Sequence, residues 1–270
     1  MSAEVSQPKV SCLLVALPDP DRFALFRRSV GAYLGQSYAN RELVVVLDQG
    51  PARQLFCTHI NDLGRSDIRV YLPDAQLSLG SLRNYGLECV RGDYFCQWDD
   101  DDISHPNRLE RQLQSLLDDS AVACYLQDVL HFFVDAREVY WTNWSHTPTG
   151  CHQATLLCRS DMAVRYPDSG PRPEARSGED DVFCRQLLTQ HKVSIVKGQP
   201  ELYLYVCHGL NAMGPAHHSM LATSLAVSKG RIARHKQPLC IALRDLGISS
   251  PSVTVVSREG AVFSFDDNSR

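Results

Sequence analysis

Four consecutive aspartates, Asp99 to Asp102, follow an apolar stretch that closes on Gln97 and Trp98. Carboxylates crowded this closely are unfavourable unless a cation or a set of hydrogen bonds compensates them. Side chains at the end of a strand alternate in direction, so Asp99 and Asp101 can point one way and Asp100 the other. Hard oxygen donors suit Mg²⁺ or Mn²⁺, and Mg²⁺ usually takes one or two carboxylates plus substrate phosphates and water. The competing reading is a solvated acidic turn in which Asp102 caps the next helix. An EF-hand loop is disfavoured, because the glycine and the later glutamate of that pattern are missing.

The elements around the run explain why it would stand where a ligand binds. Val10 to Leu17 is a continuous apolar run closed by Pro18, the pattern of a buried parallel strand. Asp21 to Leu34 carries Phe23, Phe26, Val30 and Leu34 at helical spacing, with Asp21 as its expected N-cap. Strands are expected at Leu43 to Leu47, Ile68 to Leu72 and Tyr94 to Trp98, and helices at Ala52 to Leu63 and Leu82 to Val90. Alternating strand and helix implies a mainly parallel sheet, in which ligands bind beyond the carboxyl ends of the strands. Asp48 and the aspartate run both fall at such ends.

The second half is less regular. A helix is expected at Arg108 to Leu117, and strands at Ala121 to Val134, Glu138 to Trp144 and Ala154 to Cys158. Pro167 to Ser177 reads as a mobile loop, and a helix with Val182, Phe183, Leu187 and Leu188 follows Gly178. Leu202 to Val206 is a late strand running into His208. Beyond Pro215 come a helical stretch and short strands at Val253 to Val256 and Ala261 to Phe265. The basic side chains Lys229, Arg231, Arg234, His235 and Lys236 are expected to form a solvated face.

Composition narrows the function classes. A chain of 270 residues with 44% apolar and 21% charged residues is ordinary for a globular protein. The net charge of −4 argues against a nucleic-acid binder. No apolar run approaches the roughly 18 residues that cross a bilayer, and the start lacks the signal-peptide pattern, so a cytoplasmic protein is expected. The ten cysteines include no C-x-x-C pair, and Cys12, Cys96, Cys158 and Cys207 lie in apolar runs, as buried reduced thiols would.

From Val10 to about Asn211 the sequence resembles the inverting glycosyltransferase family 2. Ser11 to Pro18 resembles the family's opening strand, and Gln36 to Asp48 its QTYxNxEIIVVDD segment. Gly80 to Gly86 resembles GxxxARNxG, and Gly92 to Asp102 with Pro106, Arg108 and Leu109 resembles GDYIxFLDADDxxxPxRL. Gly178 to Asp180 matches the later ED motif and His208 to Asn211 the HGGN. The order is the family's own. Leu47 replaces the first of the usual two aspartates, and Pro18 to Asp21 departs from the usual first turn.

The resemblance implies a GT-A fold, an α/β architecture with a Rossmann-like mixed central sheet, mainly parallel in its nucleotide half and flanked by helices. It implies a catalytic domain over residues 1–215, with a nucleotide-binding half at 10–102 and an acceptor-side half at 103–215, followed by an extension at 216–270. Implied donor contacts are Pro18, Asp48, Arg83 toward the diphosphate, Asp99 and, at the sugar, Asp102. Asp101 is implied as direct metal ligand for Mn²⁺ or Mg²⁺, with Asp99 and His208 joining it or touching ribose and diphosphate. Asp180, or its neighbour Asp181, is implied as the general base. Trp141 and Trp144, with His146 and His152, flank the implied acceptor side, though burial is the commoner fate of tryptophan. The implied activity is transfer of a hexose or N-acetylhexosamine from a nucleotide-sugar, a UDP-sugar above others, to a hydroxyl of a glycan, glycolipid or surface polysaccharide. It would act in the cytoplasm or at the inner face of the membrane. Two alternatives stand beside it: a protein that binds nucleotide-sugar without turnover, and a sugar-1-phosphate nucleotidyltransferase. The second wants a Gly-rich basic loop after the first strand, and Leu17 to Asp21 is not one.

Overall fold

The computed structural model describes residues 7–168, 178–248 and 251–266. The first strand, β1 (Val10–Ala16), is buried at every position, as a central strand covered on both faces must be. A short 3₁₀ turn (Pro20–Arg22) leads into α1 (Phe23–Leu34), followed by β2 (Arg41–Leu47), α2 (Arg53–Asp62), β3 (Ile68–Tyr71), α3 (Leu79–Cys89) and β4 (Tyr94–Gln97). Asp21 is not the expected N-cap. Asp19 caps the 3₁₀ turn, accepting from the Asp21 amide at 2.9 Å, and α1 begins without a side-chain cap.

Then come β5 (Ile103–Ser104), α4 (Arg108–Asp118), β6 (Ala123–Leu126), β7 (Asp128–Phe133), β8 (Glu138–Asn143) and β9 (His152–Arg159). The chain continues through α5 (Glu179–Gln190), β10 (Val193–Val196), β11 (Tyr203–Cys207), α6 (Pro215–Leu225), α7 (Lys229–Arg234), α8 (Lys236–Asp245), β12 (Val253–Ser257) and β13 (Gly260–Phe265). The apolar stretch from Ala121 to Val134 is two strands in different sheets, not one, because the chain crosses between layers at Gln127. The strand β10 carries no sequence signal beyond four residues. Of the Pro-rich loop expected at Pro167 to Ser177, residues 169–177 lie outside the described residues.

Two sheets result. The first has the order β10-β6-β9-β4-β1-β2-β3; β3, β2, β1 and β4 run parallel, and β9 is antiparallel to both its neighbours. The second has the order β13-β12-β8-β7-β11-β5. Its edge pair β12 and β13 comes from the last fifth of the chain, and β12 pairs in parallel with β8. Val253, Val255 and Phe265 share a buried cluster with Leu130, Trp141 and Leu204, so residues beyond 215 complete the second core.

Packing of α3 on the first sheet depends on two glycines of the Gly80 to Gly86 motif. A Cβ at Gly86 would lie 2.3 Å from the Leu13 side chain, and one at Gly80 would lie 2.0 Å from the Pro167 carbonyl oxygen. This close approach brings Arg83, on the turn between them, against the end of β4. The five residues Trp98 to Asp102 are the passage by which the chain leaves the first sheet at β4 and enters the second at β5. The aspartate run therefore sits at the seam of the two sheets.

Candidate active site

Each aspartate of the run has a different set of partners. Asp99 accepts from Arg83 Nη2 at 3.2 Å, from Gln97 Nε2 at 3.2 Å and from the Tyr203 hydroxyl at 3.3 Å. Asp100, buried, is gripped by Arg22 through Nη2 at 2.5 Å and Nε at 3.3 Å. The Oδ2 of Asp101 receives Arg22 Nη2 at 3.0 Å and faces His208 Nε2, also at 3.0 Å. Asp102 binds the β11 amide of Val206 through Oδ1 at 2.8 Å and the Tyr203 hydroxyl through Oδ2.

The backbone of the run is fixed as well. Ser29 Oγ donates to the Asp99 carbonyl at 2.7 Å and Arg28 to the Asp101 carbonyl at 2.9 Å, both from α1. Beneath, the buried Arg108 donates to the Gln97 carbonyl at 3.1 Å and to Ser104 Oγ at 2.8 Å. Its guanidinium lies over the rings of Tyr203 and Trp98, 4.8 and 5.4 Å from their centroids.

These partners set the protonation behaviour of the run. Burial raises the Asp99 pKa, against the Arg83 charge, with repulsion from Asp101 and Asp180 adding to it. Burial also raises Asp100, to about 7, and Asp101 adds to the shift against the opposing Arg22. For Asp101 burial is outweighed by the His208 hydrogen bond and the Arg22 charge, which hold its carboxyl below the usual range. Asp102 is pushed well up by burial and by its two anionic neighbours Asp101 and Asp99. The run is thus a graded set of acids.

The first turn of α5 lies on the same seam. Glu179, 4% exposed, is ion-paired to Arg83 through Nη1, and the same guanidinium holds Asp99. Asp180 follows it, its Oδ1 accepting the Asp181 amide at 2.8 Å. Asp181 instead faces outward, salt-bridged to Arg185 at 2.6 Å and accepting from Gln153 at 3.3 Å. The Asp180 charge acts on both Arg83 and Asp99.

At the ends of β1 and β2, Asp48 is buried and accepts the Gln49 amide at 2.8 Å and the Leu77 amide at 3.3 Å, anchoring the segment before α3. Pro18 is buried beside it, its carbonyl accepting the Ala52 amide at 3.0 Å.

The Glycosyl transferase family 2 model matches residues 21–157, just over half of the chain. The chain belongs to glycosyltransferase family 2. An uncharacterised glycosyltransferase of Rickettsia typhi is 32% identical over 101 residues, covering 37% of this chain and 30% of the relative. One of Haemophilus influenzae is 35% identical over 91 residues, 33% of this chain and 36% of that protein. The chain spans about a third of the length of these curated relatives. Among solved structures, S. aureus TarS 1–349 in complex with UDP-GlcNAc superposes with a TM-score of 0.60 at 15% identity, over 87% of this chain and 66% of that one. A further S. aureus TarS structure gives 0.58 at 16% identity, over 74% of this chain and 37% of that one. The fold is the GT-A fold of the family.

Several of the expected site residues are held by the protein's own side chains and backbone. Arg83, expected toward the diphosphate, is 6% exposed and pairs its two terminal nitrogens with Asp99 and Glu179. Both oxygens of Asp102, expected at the donor sugar, accept hydrogen bonds from β11. Asp99 is not gathered with Asp101 and His208, and no group of three His, Cys, Asp or Glu among the described residues is arranged to hold a metal ion. What converges is the pair Asp101 and His208. An oxygen and an imidazole nitrogen fit a divalent cation in kind, and the number suits one whose other ligands are phosphates and water.

Trp141 and Trp144 are buried, 1% and 7% exposed, and the buried His152 packs edge-on to Trp144 at 4.6 Å. Only His146 of that group is exposed. Arg231 is not part of a solvated face, since it pairs with the buried Asp128 at 3.1 Å and lies over Trp141 at 4.3 Å. All ten cysteines are free thiols, seven of them buried. No helix is long and apolar enough to cross a membrane among the described residues.

Arg22, Tyr203 and Tyr166 escaped the sequence reading, and Glu179 and Gln97 entered it as motif members without an assigned role. Arg22 had a signal: four adjacent acids need countercharge, and it stands in the turn after β1. Tyr203 had none.

Proposed function

We propose that this chain transfers a sugar, a hexose or N-acetylhexosamine, from a UDP-type nucleotide-sugar to an acceptor hydroxyl with inversion. The observation that carries this reading is the single guanidinium of Arg83 joining Asp99, at the donor end of β4, to the turn of α5 that presents Asp180. It brings a donor loop and a base together across residues 16 apart in one case and 96 in the other. The UDP-GlcNAc complex of the similarly folded S. aureus TarS supports the donor class.

In this reading the nucleotide lies over the ends of β1, β2 and β4, with Pro18 and Asp48 framing the base and ribose. Asp101 and His208 would hold a divalent cation, Mn²⁺ or Mg²⁺, which when bound would supply charge neutralisation at the diphosphate. Asp180 takes the proton of the acceptor hydroxyl as that oxygen attacks the anomeric carbon opposite the leaving group. The acceptor is a saccharide or glycolipid that reaches the seam from the α5 side. Buried Trp141 and Trp144 shape that side from within and do not stack on the sugar.

The test is release of nucleoside diphosphate from a panel of nucleotide-sugars with Mn²⁺, with and without EDTA. Asp180→Asn should lower turnover by about 10²- to 10⁴-fold, the usual contribution of a general base, with UDP affinity retained. Full activity in that variant would remove Asp180 from the role. UDP bound by the unaltered protein, but no donor turned over with any acceptor saccharide tried, would favour the binding-only alternative.

A further inference from the structure

Two routes connect the donor end of β4 to the base helix. The first is ionic: Asp99 to Arg83 Nη2 at 3.2 Å, then Arg83 Nη1 to Glu179. The second runs through rings and amides. Gln97 donates to Asp99 and accepts from the Tyr166 hydroxyl at 3.2 Å, and Tyr166 stacks on Phe183 of α5 with centroids 4.3 Å apart. Asn84, next to Arg83 on α3, fixes Tyr166 by donating to its carbonyl at 2.7 Å and accepting its amide at 2.9 Å. The Arg83 guanidinium lies over the same ring, 5.3 Å from its centroid.

The two routes hold different parts of α5. Phe183 holds the body of the helix, one turn in. Glu179 holds its first turn, and Asp180 is the next residue. Glu179 is buried and its Oε2 has no hydrogen-bond partner, so Arg83 is the described anchor of that carboxylate. Arg83 Nε is likewise unpartnered, so the guanidinium spends its two terminal nitrogens on the two acids.

We propose that Glu179 is a positioning residue for the transfer: clamped through Arg83 to Asp99, it sets the first turn of α5 so that Asp180 faces the donor. The inference rests on Asp180 being the base. The chemistry assigns Glu179 no proton and no substrate contact; it acts through where its neighbour stands. The bidentate use of Arg83 is what makes the link, because a lysine in its place offers one point charge and cannot span both acids in the same way.

The experiment compares the full chain with Glu179→Gln, Arg83→Lys and their double variant, reading thermal melting, UDP binding by calorimetry, and turnover and KM for UDP-GlcNAc. Glu179→Gln preserves shape and an acceptor oxygen, so it tests the link without demanding that the fold survive a cavity. Its UDP affinity and donor KM should stay within about threefold of the unaltered protein. Its turnover should fall by about 10- to 100-fold, the scale of a misplacement near 1 Å. The double variant should lose no more than the worse single one, as residues acting as a unit do. Turnover within about twofold in Glu179→Gln would overturn the inference. So would a parallel fall of affinity and turnover, which would make Glu179 a donor contact. Asp180→Asn run alongside separates the two readings: if it is inactive while Glu179→Gln is active, only the positioning role fails. If Asp180→Asn is active, the base assignment fails and this inference falls with it.

Discussion

Two arginines neutralise the same acidic run from opposite sides, and they do so in different ways. Arg83 reaches Asp99 and Glu179 from inside, its side chain 7% exposed, and joins the end of β4 to the first turn of α5. Arg22 reaches Asp100 and Asp101 from the rim, 17% exposed, and also donates to the Leu210 carbonyl at 3.1 Å. It therefore staples three loops: the turn after β1, the aspartate run and the segment after β11. For both arginines burial is outweighed by the facing carboxylates, which raise the guanidinium pKa above its ordinary value. The lesson is that one run of acids can be divided between a rigid frame and a loop clasp. Asp99 belongs to the frame, Asp100 and Asp101 to the clasp, and Asp102 to β11.

Breaking the frame should cost most. Arg83→Ala leaves Asp99 and the buried Glu179 without their shared cation, and removing one partner of a buried pair typically costs about 3–5 kcal/mol. Urea denaturation at neutral pH should show that loss; a midpoint near that of the unaltered protein would mean the two acids are solvated in the folded state. Arg22→Ala should cost less, about 1–3 kcal/mol for the acceptors left unsatisfied, because solvent can reach the rim. The same change should tighten Mn²⁺ binding in the absence of nucleotide, since Arg22 occupies the Asp101 oxygen that faces His208. Titration of Mn²⁺ into the two proteins checks this, and weaker binding in the variant would show that Arg22 shapes the cation site instead of competing for it.

The frame was more legible in the sequence than the clasp. Continuous apolar runs such as Val10 to Ala16 dictate buried parallel strands, and Gly80 and Gly86 mark the close packing of α3. Family motifs then singled out Asp48, Asp99, Asp101, His208 and Asp180 as expected site residues. What the motifs did not carry was which way each charge turns. Arg83 was expected to face a diphosphate because a single sequence gives no burial, and only the fold puts Glu179 within its reach. Asp102 was assigned to the sugar for the same reason: nothing in the residues 102 to 206 says that Tyr203 and the Val206 amide will claim both its oxygens. The second sheet was the least readable part. Its six strands come from four separated segments (β5, the β7 and β8 pair, β11, and the β12 and β13 pair), and β5, at two residues, is too short to show a period.

The contrast between frame and clasp has a pH signature. Folding raises the Asp100 pKa from an ordinary carboxyl value of about 4 to about 7. A carboxyl raised in this way favours the folded state at low pH, and that contribution is lost as pH rises through about 7. Between about pH 4 and 7 the stability should therefore fall by up to about 1.4 kcal/mol per pH unit for one proton, and the urea midpoint with it, levelling off above about 7. Asp100→Asn should flatten that fall; an unchanged slope would place the titration elsewhere in the run.

The smallest effect is expected where the same helix carries the same chemistry in the open. Arg185 and Asp181 form a salt bridge at 2.6 Å, one turn apart on α5, with side chains 51% and 37% exposed. Water and salt screen such a pair, and holding two long side chains in one geometry offsets most of the attraction. Arg185→Ala should leave the melting temperature and the donor turnover unchanged within error. The comparison with Glu179→Gln is then internal to one helix. Both changes remove a charge and an ion pair from the first two turns of α5, yet only the buried pair is tied to Asp99. If Arg185→Ala slows turnover as much as Glu179→Gln does, the helix responds to charge in general, and the specific link through Arg83 loses its basis.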